Sequence, residues 1–226
     1  MVLEFFRGGA DSQLEEIEGL IIQMLLDSRH TFDLAINALI GGTDPATVGS
    51  QIRKTDIGVN RALRQVRKEL VVHASVRGAK ADLPMLLTSM SIVKDAERIG
   101  DYAKNIWDLA AAGINLSDAP DLAQLMTIRD RTSAMISEAA RVFRENDVDA
   151  AHRMIQDGDG IQDEYDSGVY ELLTDAGSVA TSEGVARALL YRYLKRITAH
   201  VMNVLTSLVM PVHRLDFYDE KKSDRA

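Results

Sequence analysis

The sequence has no cysteine, only four prolines and few aromatic residues, which make up 5 % of its 226 residues. Without cysteine the chain can form no disulfide, no thiolate zinc site and no cysteine nucleophile. It also has no run of about 18 apolar residues without charge, the length that a membrane helix needs. We therefore expect no transmembrane segment, and the lack of cysteine fits a cytoplasmic location.

The charge and the missing motifs exclude further classes of function. A net charge of −8 is unfavourable for binding a phosphate backbone, so we expect no nucleic-acid partner. The sequence contains no Gly-x-Ser-x-Gly, no phosphate-binding glycine loop, no dinucleotide fingerprint and no His-Glu-x-x-His. We therefore predict that the protein is not an enzyme and has no catalytic residue.

The residues that are abundant indicate helices. Alanine and leucine are frequent, strand-like alternation is scarce, and 46 % of the residues are hydrophobic. Apolar residues recur at helical spacing in six long segments, the fourth of which is expected to start at Asp118-Ala119-Pro120. The pattern predicts an all-α fold of two tandem antiparallel three-helix bundles.

The two halves of the chain are similar in sequence. Residues 96–106 align without a gap on residues 194–204, and both stretches lie in the most apolar helix of their half. We predict a first three-helix repeat at residues 1–114, a second at residues 115–212 and a charged C-terminal tail at residues 213–226.

The third predicted helix carries an acidic pair, Glu97 and Asp101, at the edge of its apolar arc. Two carboxylates four residues apart on a helix repel each other, and a partly buried carboxylate needs a partner. The partner is either a cation bound from outside or the basic side chains of Arg98 and Lys104 on the same helix.

The stretch from Glu97 to Ile106 reads Glu-Arg-Ile-Gly-Asp-Tyr-Ala-Lys-Asn-Ile. It resembles the signature of the PhoU family of phosphate-uptake regulators, in which a Glu and an Asp four residues apart precede Asn-Ile. The resemblance implies a protein of two three-helix repeats that links a membrane phosphate transporter component to a sensor kinase. Such a protein acts by binding, and it is cytoplasmic or associated with the membrane through its partners.

The resemblance also implies a metal site. In PhoU-like proteins the carboxylates of the signature, with acidic residues of the neighbouring helix, are the proposed ligands. The matching positions here are Glu97 and Asp101 with Asp56 and Asn60 of the second helix. Hard oxygen ligands of this kind suit Mg, Mn, Ca or an iron species. The alternative is that basic residues of the second and third helices neutralise the carboxylates.

The second repeat departs from the signature, because Lys195 and Ala199 stand where the first repeat has its Glu and Asp. We therefore expect a metal in the first repeat only. We predict that Lys195 and Arg196 instead pair with the acidic face of the fifth helix, with Asp159 and Asp163 as the named partners. The whole face consists of Asp157, Asp159, Asp163, Glu164 and Asp166.

Other interpretations stay open at this stage. The chain is alternatively a helical scaffold unrelated to phosphate, or a metal protein with carboxylates inside its bundle, although such sites use Glu-x-x-His pairs that the sequence lacks. The basic residues of the second helix are either a partner surface or a solvated face; they are Arg61, Arg64, Arg67 and Lys68. A homodimer is also open.

Overall fold

The structure, a computed structural model, describes residues 12–78, 82–174 and 180–216. These residues form six long α-helices and a short 3₁₀ turn at Val212–Arg214, and they contain no strand. None of the described helices is long and apolar enough to cross a membrane. The all-α prediction is confirmed. The helices are α1 (Ser12–Ile40), α2 (Pro45–Arg77), α3 (Leu83–Ala111), α4 (Leu122–Glu145), α5 (Val148–Thr174) and α6 (Thr181–Val209).

Short polar residues followed by proline start two of the helices. Asp44 accepts a hydrogen bond of 2.9 Å from the Ala46 N–H at the start of α2. Asp82 accepts one of 3.2 Å from the Met85 N–H at the start of α3. In each case a side-chain oxygen satisfies an N–H group that has no partner inside the helix, and a proline occupies the first turn.

Helix α4 begins at Leu122, four residues after Asp118, where the predicted start Asp118-Ala119-Pro120 begins. Residues 117–121 form turns instead. The physical reason lies in Asp121, whose carboxylate does not cap the helix but accepts two hydrogen bonds, of 2.7 and 2.8 Å, from the Arg187 guanidinium. Arg187 is buried, so this pair connects the beginning of α4 to α6.

The hydrophobic core is continuous through all six helices. Helix α3 packs against α1, α2 and α6, while α5 packs mainly against α6. The halves meet where α3 contacts α6 and α1 contacts α4. In the connection between them, the N–H of the buried Leu116 donates a 2.8 Å hydrogen bond to the Leu39 carbonyl at the end of α1. The repeat boundaries at 114 and 212 stay a prediction.

Helix α2 approaches α3 closely at Gly49. A Cβ atom at this position would lie 2.5 Å from Cζ2 of the Trp107 ring. The ring is held in place because its Nε1–H donates a 2.9 Å hydrogen bond to the Pro45 carbonyl, and Arg53 lies 5.1 Å from the ring centroid. The contact positions α2 against the face of α3 that carries the acidic pair.

We predict that Gly49→Ala lowers the free energy of unfolding by about 1–3 kcal/mol, because the anchored ring cannot move away from the added methyl group. Gly58→Ala is the matched control, since it lies on the same helix and a Cβ there would meet no atom within 4 Å. The control should raise stability by up to about 1 kcal/mol through helix propensity alone. Urea unfolding of both variants tests the contact, and an equal gain in both would contradict it.

Candidate functional site

The structure brings the acidic side chains of α2 and α3 together. We call Glu97, Asp101, Asp56 and Asn60 the signature cluster. The Lys104 Nζ atom lies between two of its carboxylates, 3.3 Å from Asp56 Oδ1 and 4.0 Å from Asp101 Oδ1. The three side chains are only partly exposed, so a basic group of α3 neutralises carboxylates from both helices.

Arg98 provides a second cation to the signature cluster. Its Nη1 atom lies 3.2 Å from Asp101 Oδ2, and its Nε atom lies 3.7 Å from Glu97 Oε2. Asn60 does not take part through its amide nitrogen, which donates a 3.0 Å hydrogen bond to the backbone carbonyl of Asp56. Direct ion pairs on α3, with one to α2, therefore balance most of the charge in the cluster.

These contacts decide what the signature cluster offers to a metal ion. Within the described ranges, no three acidic or histidine side chains converge as a metal site requires. The Lys104 ammonium stands between Asp56 and Asp101, so it occupies the place that a metal ion would need. Metal binding by the four predicted ligands stays a prediction.

Glu97 is the least satisfied carboxylate of the signature cluster, and its side chain is 14 % exposed. Burial raises the pKa of the Glu97 carboxyl above its ordinary value, and the charge of Asp101 raises it further. The nearby Arg98 and, more weakly, Arg67 lower this pKa but do not reverse the shift. The protonated form of Glu97 is therefore more favoured in the folded chain than in the unfolded chain.

In the second repeat, Lys195 of α6 forms an ion pair with Asp166 of α5. The side chains are 29 % and 47 % exposed, so we expect the pair to contribute less than about 1 kcal/mol. The predicted partners Asp159 and Asp163 lie on exposed positions of α5, and Arg196 is exposed as well. The pairing of Lys195 with Asp159 or Asp163 stays a prediction.

The structure also shows a buried polar cluster that the sequence analysis missed. Asp95 on α3 is 7 % exposed, and its Oδ1 atom accepts hydrogen bonds from His200 Nδ1 at 2.7 Å and Asn203 Nδ2 at 2.9 Å. We call these three residues the Asp95 cluster. The sequence did contain a signal for this cluster. Asp95 lies three residues after Ile92 and four before Ile99, so its side chain falls on the apolar side of the helix.

With this geometry established, comparison with known proteins identifies the first repeat. The family model described as "PhoU domain" matches residues 21–110, which include helix α2, most of α1 and α3, and the acidic pair. The chain carries a PhoU domain. The resemblance inferred from the stretch Glu97 to Ile106 is thereby confirmed.

Curated relatives extend the similarity beyond the PhoU domain. A phosphate-specific transport system accessory protein PhoU homolog of Pseudomonas putida is 27 % identical over 212 residues, which cover 91 % of this chain and 81 % of the relative. The homolog of Pseudomonas aeruginosa is 26 % identical over 212 residues, covering 91 % of this chain and 86 % of that protein.

Solved structures share the arrangement of the helices. The crystal structure of PhoU from Pseudomonas aeruginosa superposes with a TM-score of 0.78 at 25 % identity, over 90 % of this chain and 98 % of that one. The phosphate transport system regulatory protein PhoU from Streptococcus pneumoniae gives a TM-score of 0.75 at 18 % identity, over 88 % of this chain and 94 % of that one. The fold therefore continues through the second repeat, past the PhoU domain match.

We predict that Glu97→Gln raises the stability of the protein at neutral pH, by about 1 kcal/mol or less for a partly exposed charge. Because the pKa of Glu97 is raised on folding, its contribution is favourable below the ordinary pKa of a glutamate and is lost as the pH rises through the folded value. Urea unfolding from pH 4.5 to 7 should show a smaller loss of stability in Glu97→Gln than in wild type. The exposed Glu16→Gln is the control, and an equal pH dependence in wild type and Glu97→Gln would refute the prediction.

Proposed function

We propose that this chain is an accessory regulator of phosphate transport, or of the transport of a related anion, and of phosphate-starvation signalling. The observation that carries the proposal is the extent of the similarity. Nearly the whole chain aligns with proteins named as accessory proteins of the phosphate-specific transport system, and its helices cover 98 % of a solved PhoU chain.

The protein acts by binding rather than by catalysis in this proposal. Its partners are a membrane transporter component or a sensor kinase, and it is cytoplasmic and reaches the membrane through them. The basic face of α2 supports a role in binding, because Arg61, Arg64 and Lys68 are exposed and form no ion pair within the part of the chain that the structure describes. A second copy of this chain, in a homodimer, is a further partner in this proposal. The binding experiment must distinguish it from the transporter component and the sensor kinase.

We predict that the tagged full chain, purified from its own cells in high and in low phosphate, captures a phosphate transporter component or a sensor kinase. Deleting the gene should raise expression of a phosphate-starvation reporter in high phosphate. The triple variant Arg61→Glu, Arg64→Glu, Lys68→Glu should capture at least about tenfold less partner, because reversing three cations turns attraction into repulsion.

The matched control reverses three exposed cations elsewhere, in Arg144→Glu, Arg153→Glu, Arg196→Glu. This variant should capture the partner as wild type does. Recovery of neither partner at either phosphate level, with an unchanged reporter, would favour the scaffold interpretation. Size-exclusion chromatography with light scattering of the purified chain reports a homodimer separately.

We also propose that the signature cluster binds a hard divalent cation, Mg, Mn, Ca or an iron species, in the first repeat only. The support is that Asp56 of α2 and Asp101 of α3 share one ammonium group, and that the charges of both act on Glu97. A metal ion would have to replace the Lys104 ammonium between Asp56 and Asp101. The ion and this side chain therefore compete for one place.

We predict that Lys104→Met binds Mn²⁺ or Mg²⁺ more tightly than wild type does. Without the ammonium, the carboxylates repel each other, so the variant should be less stable in chelator and should recover more of its melting temperature when metal is added. Lys94→Met, an exposed lysine on the same helix, is the control. A thermal shift titration that shows no stabilisation of either protein by millimolar metal would mean that the signature cluster is an ion-paired surface.

A further inference from the structure

Positive charge is concentrated on one helix of this acidic protein. Helix α2 carries seven lysine and arginine residues and two acidic residues, although the chain as a whole has a net charge of −8. Helix α5 has the opposite balance, with seven acidic residues and one arginine. Because α2 packs against α1 and α3 whereas α5 packs against α6 and α4, the two charged helices lie on separate sides of the molecule.

The basic face of α2 is a continuous row of cations. Arg61, Arg64 and Lys68 are all exposed, and at about 100° per residue they fall within about 60° of one another around the helix axis. Both acidic residues of α2 lie about 80° or more outside this face. Within the residues that the structure describes, none of the three cations is held in an ion pair. Their charge is therefore available to a partner from outside.

Exposed aliphatic side chains lie at the end of α2 that follows the basic face. Helix α2 and helix α3 pack together and are joined by only five residues, so the last turns of α2 and the first turns of α3 lie at the same end of the bundle. We call the exposed aliphatic residues there the aliphatic end; they are Val71, Val72, Val76, Leu83 and Leu87. A group of exposed aliphatic side chains bordered by polar residues is typical of a surface that contacts another molecule.

We propose that the basic face of α2 and the aliphatic end together bind the surface of an anionic lipid bilayer. The three cations contact lipid phosphates, and the aliphatic side chains enter the boundary between headgroups and acyl chains. Each lysine or arginine near an anionic membrane strengthens binding by about fivefold. The same membrane repels the acidic side of the molecule that carries α5, so the chain binds in one orientation.

Two observations favour a bilayer over a folded protein as the occupant. The row of cations is interrupted by no carboxylate, which suits a surface of uniform negative charge. The aliphatic side chains also protrude strongly, since Val76 is 78 % exposed. A protein would need a matching cavity for each protruding group, whereas a bilayer accepts them without one. The inference goes beyond the proposed function, because this contact requires no protein partner.

Vesicle sedimentation with the purified full chain tests the proposal. Wild type should bind vesicles of phosphatidylcholine mixed with phosphatidylglycerol at low salt, should be released at high salt, and should not bind pure phosphatidylcholine. Arg61→Gln, Arg64→Gln, Lys68→Gln should bind the anionic vesicles at least about thirtyfold more weakly, since it lacks three cations. No binding to the anionic vesicles, or equal binding to both kinds, would overturn the proposal.

Two further variants separate the contributions to binding. Val72→Ser, Val76→Ser keeps every charge but should weaken binding about tenfold, because less apolar surface enters the bilayer. Arg144→Gln, Arg153→Gln, Arg196→Gln is the control; it removes the same number of exposed cations elsewhere and should bind as wild type does. If this control loses as much affinity as the α2 variant, net charge alone governs binding and the proposed surface is wrong.

The vesicle experiment and the capture experiment fail independently. If wild type captures a transporter component or a sensor kinase through the basic face of α2 but does not bind anionic vesicles, the face binds a protein and the lipid proposal is overturned. If wild type binds anionic vesicles and captures neither partner, the lipid proposal holds and the proposed regulatory function does not.

Discussion

The packing of α3 on three other helices is the constraint on which the rest of the structure depends. Helix α3 contacts α1, α2 and α6, so each polar group on it must be satisfied by a neighbour or by its own helix. The signature cluster lies at its contact with α2, and the Asp95 cluster lies at its contact with α6. One helix thus carries both the motif by which the domain is recognised and the polar connection between the halves.

The two predicted repeats carry opposite charges at the positions that align in their sequences. In the first repeat the third helix provides carboxylates, and cations of the same helix, Arg98 and Lys104, neutralise them. In the second repeat the third helix provides the cation, Lys195, and the middle helix provides its carboxylate, Asp166. Lys195 of α6 is therefore neutralised from the neighbouring helix, whereas the acidic pair of α3 is neutralised mainly from its own helix.

Local chemistry in the sequence was sufficient to predict the helices and to identify the family signature. Asp44 and Asp82, each with a proline in the following turn, lie at the start of α2 and α3, where capping depends only on residues adjacent in sequence. Contacts between distant residues were not predictable in this way. Asp95 was not singled out, because a helical projection gives the direction of a side chain and not the residue that lies opposite it, and its contact with His200 was missed. The start of α4 was misplaced because the carboxylate of Asp121 pairs with Arg187, 66 positions away.

The hydrogen bond from Leu116 to the carbonyl of Leu39 has a consequence for how the protein unfolds. It attaches the connection between α3 and α4 to the end of α1 at Leu116, the one buried residue of a segment that is otherwise exposed or partly exposed. Together with a core that runs through all six helices, it couples the opening of one repeat to the exposure of apolar surface on the other. The two halves of the chain should therefore melt in a single cooperative transition, with equal calorimetric and van't Hoff enthalpies.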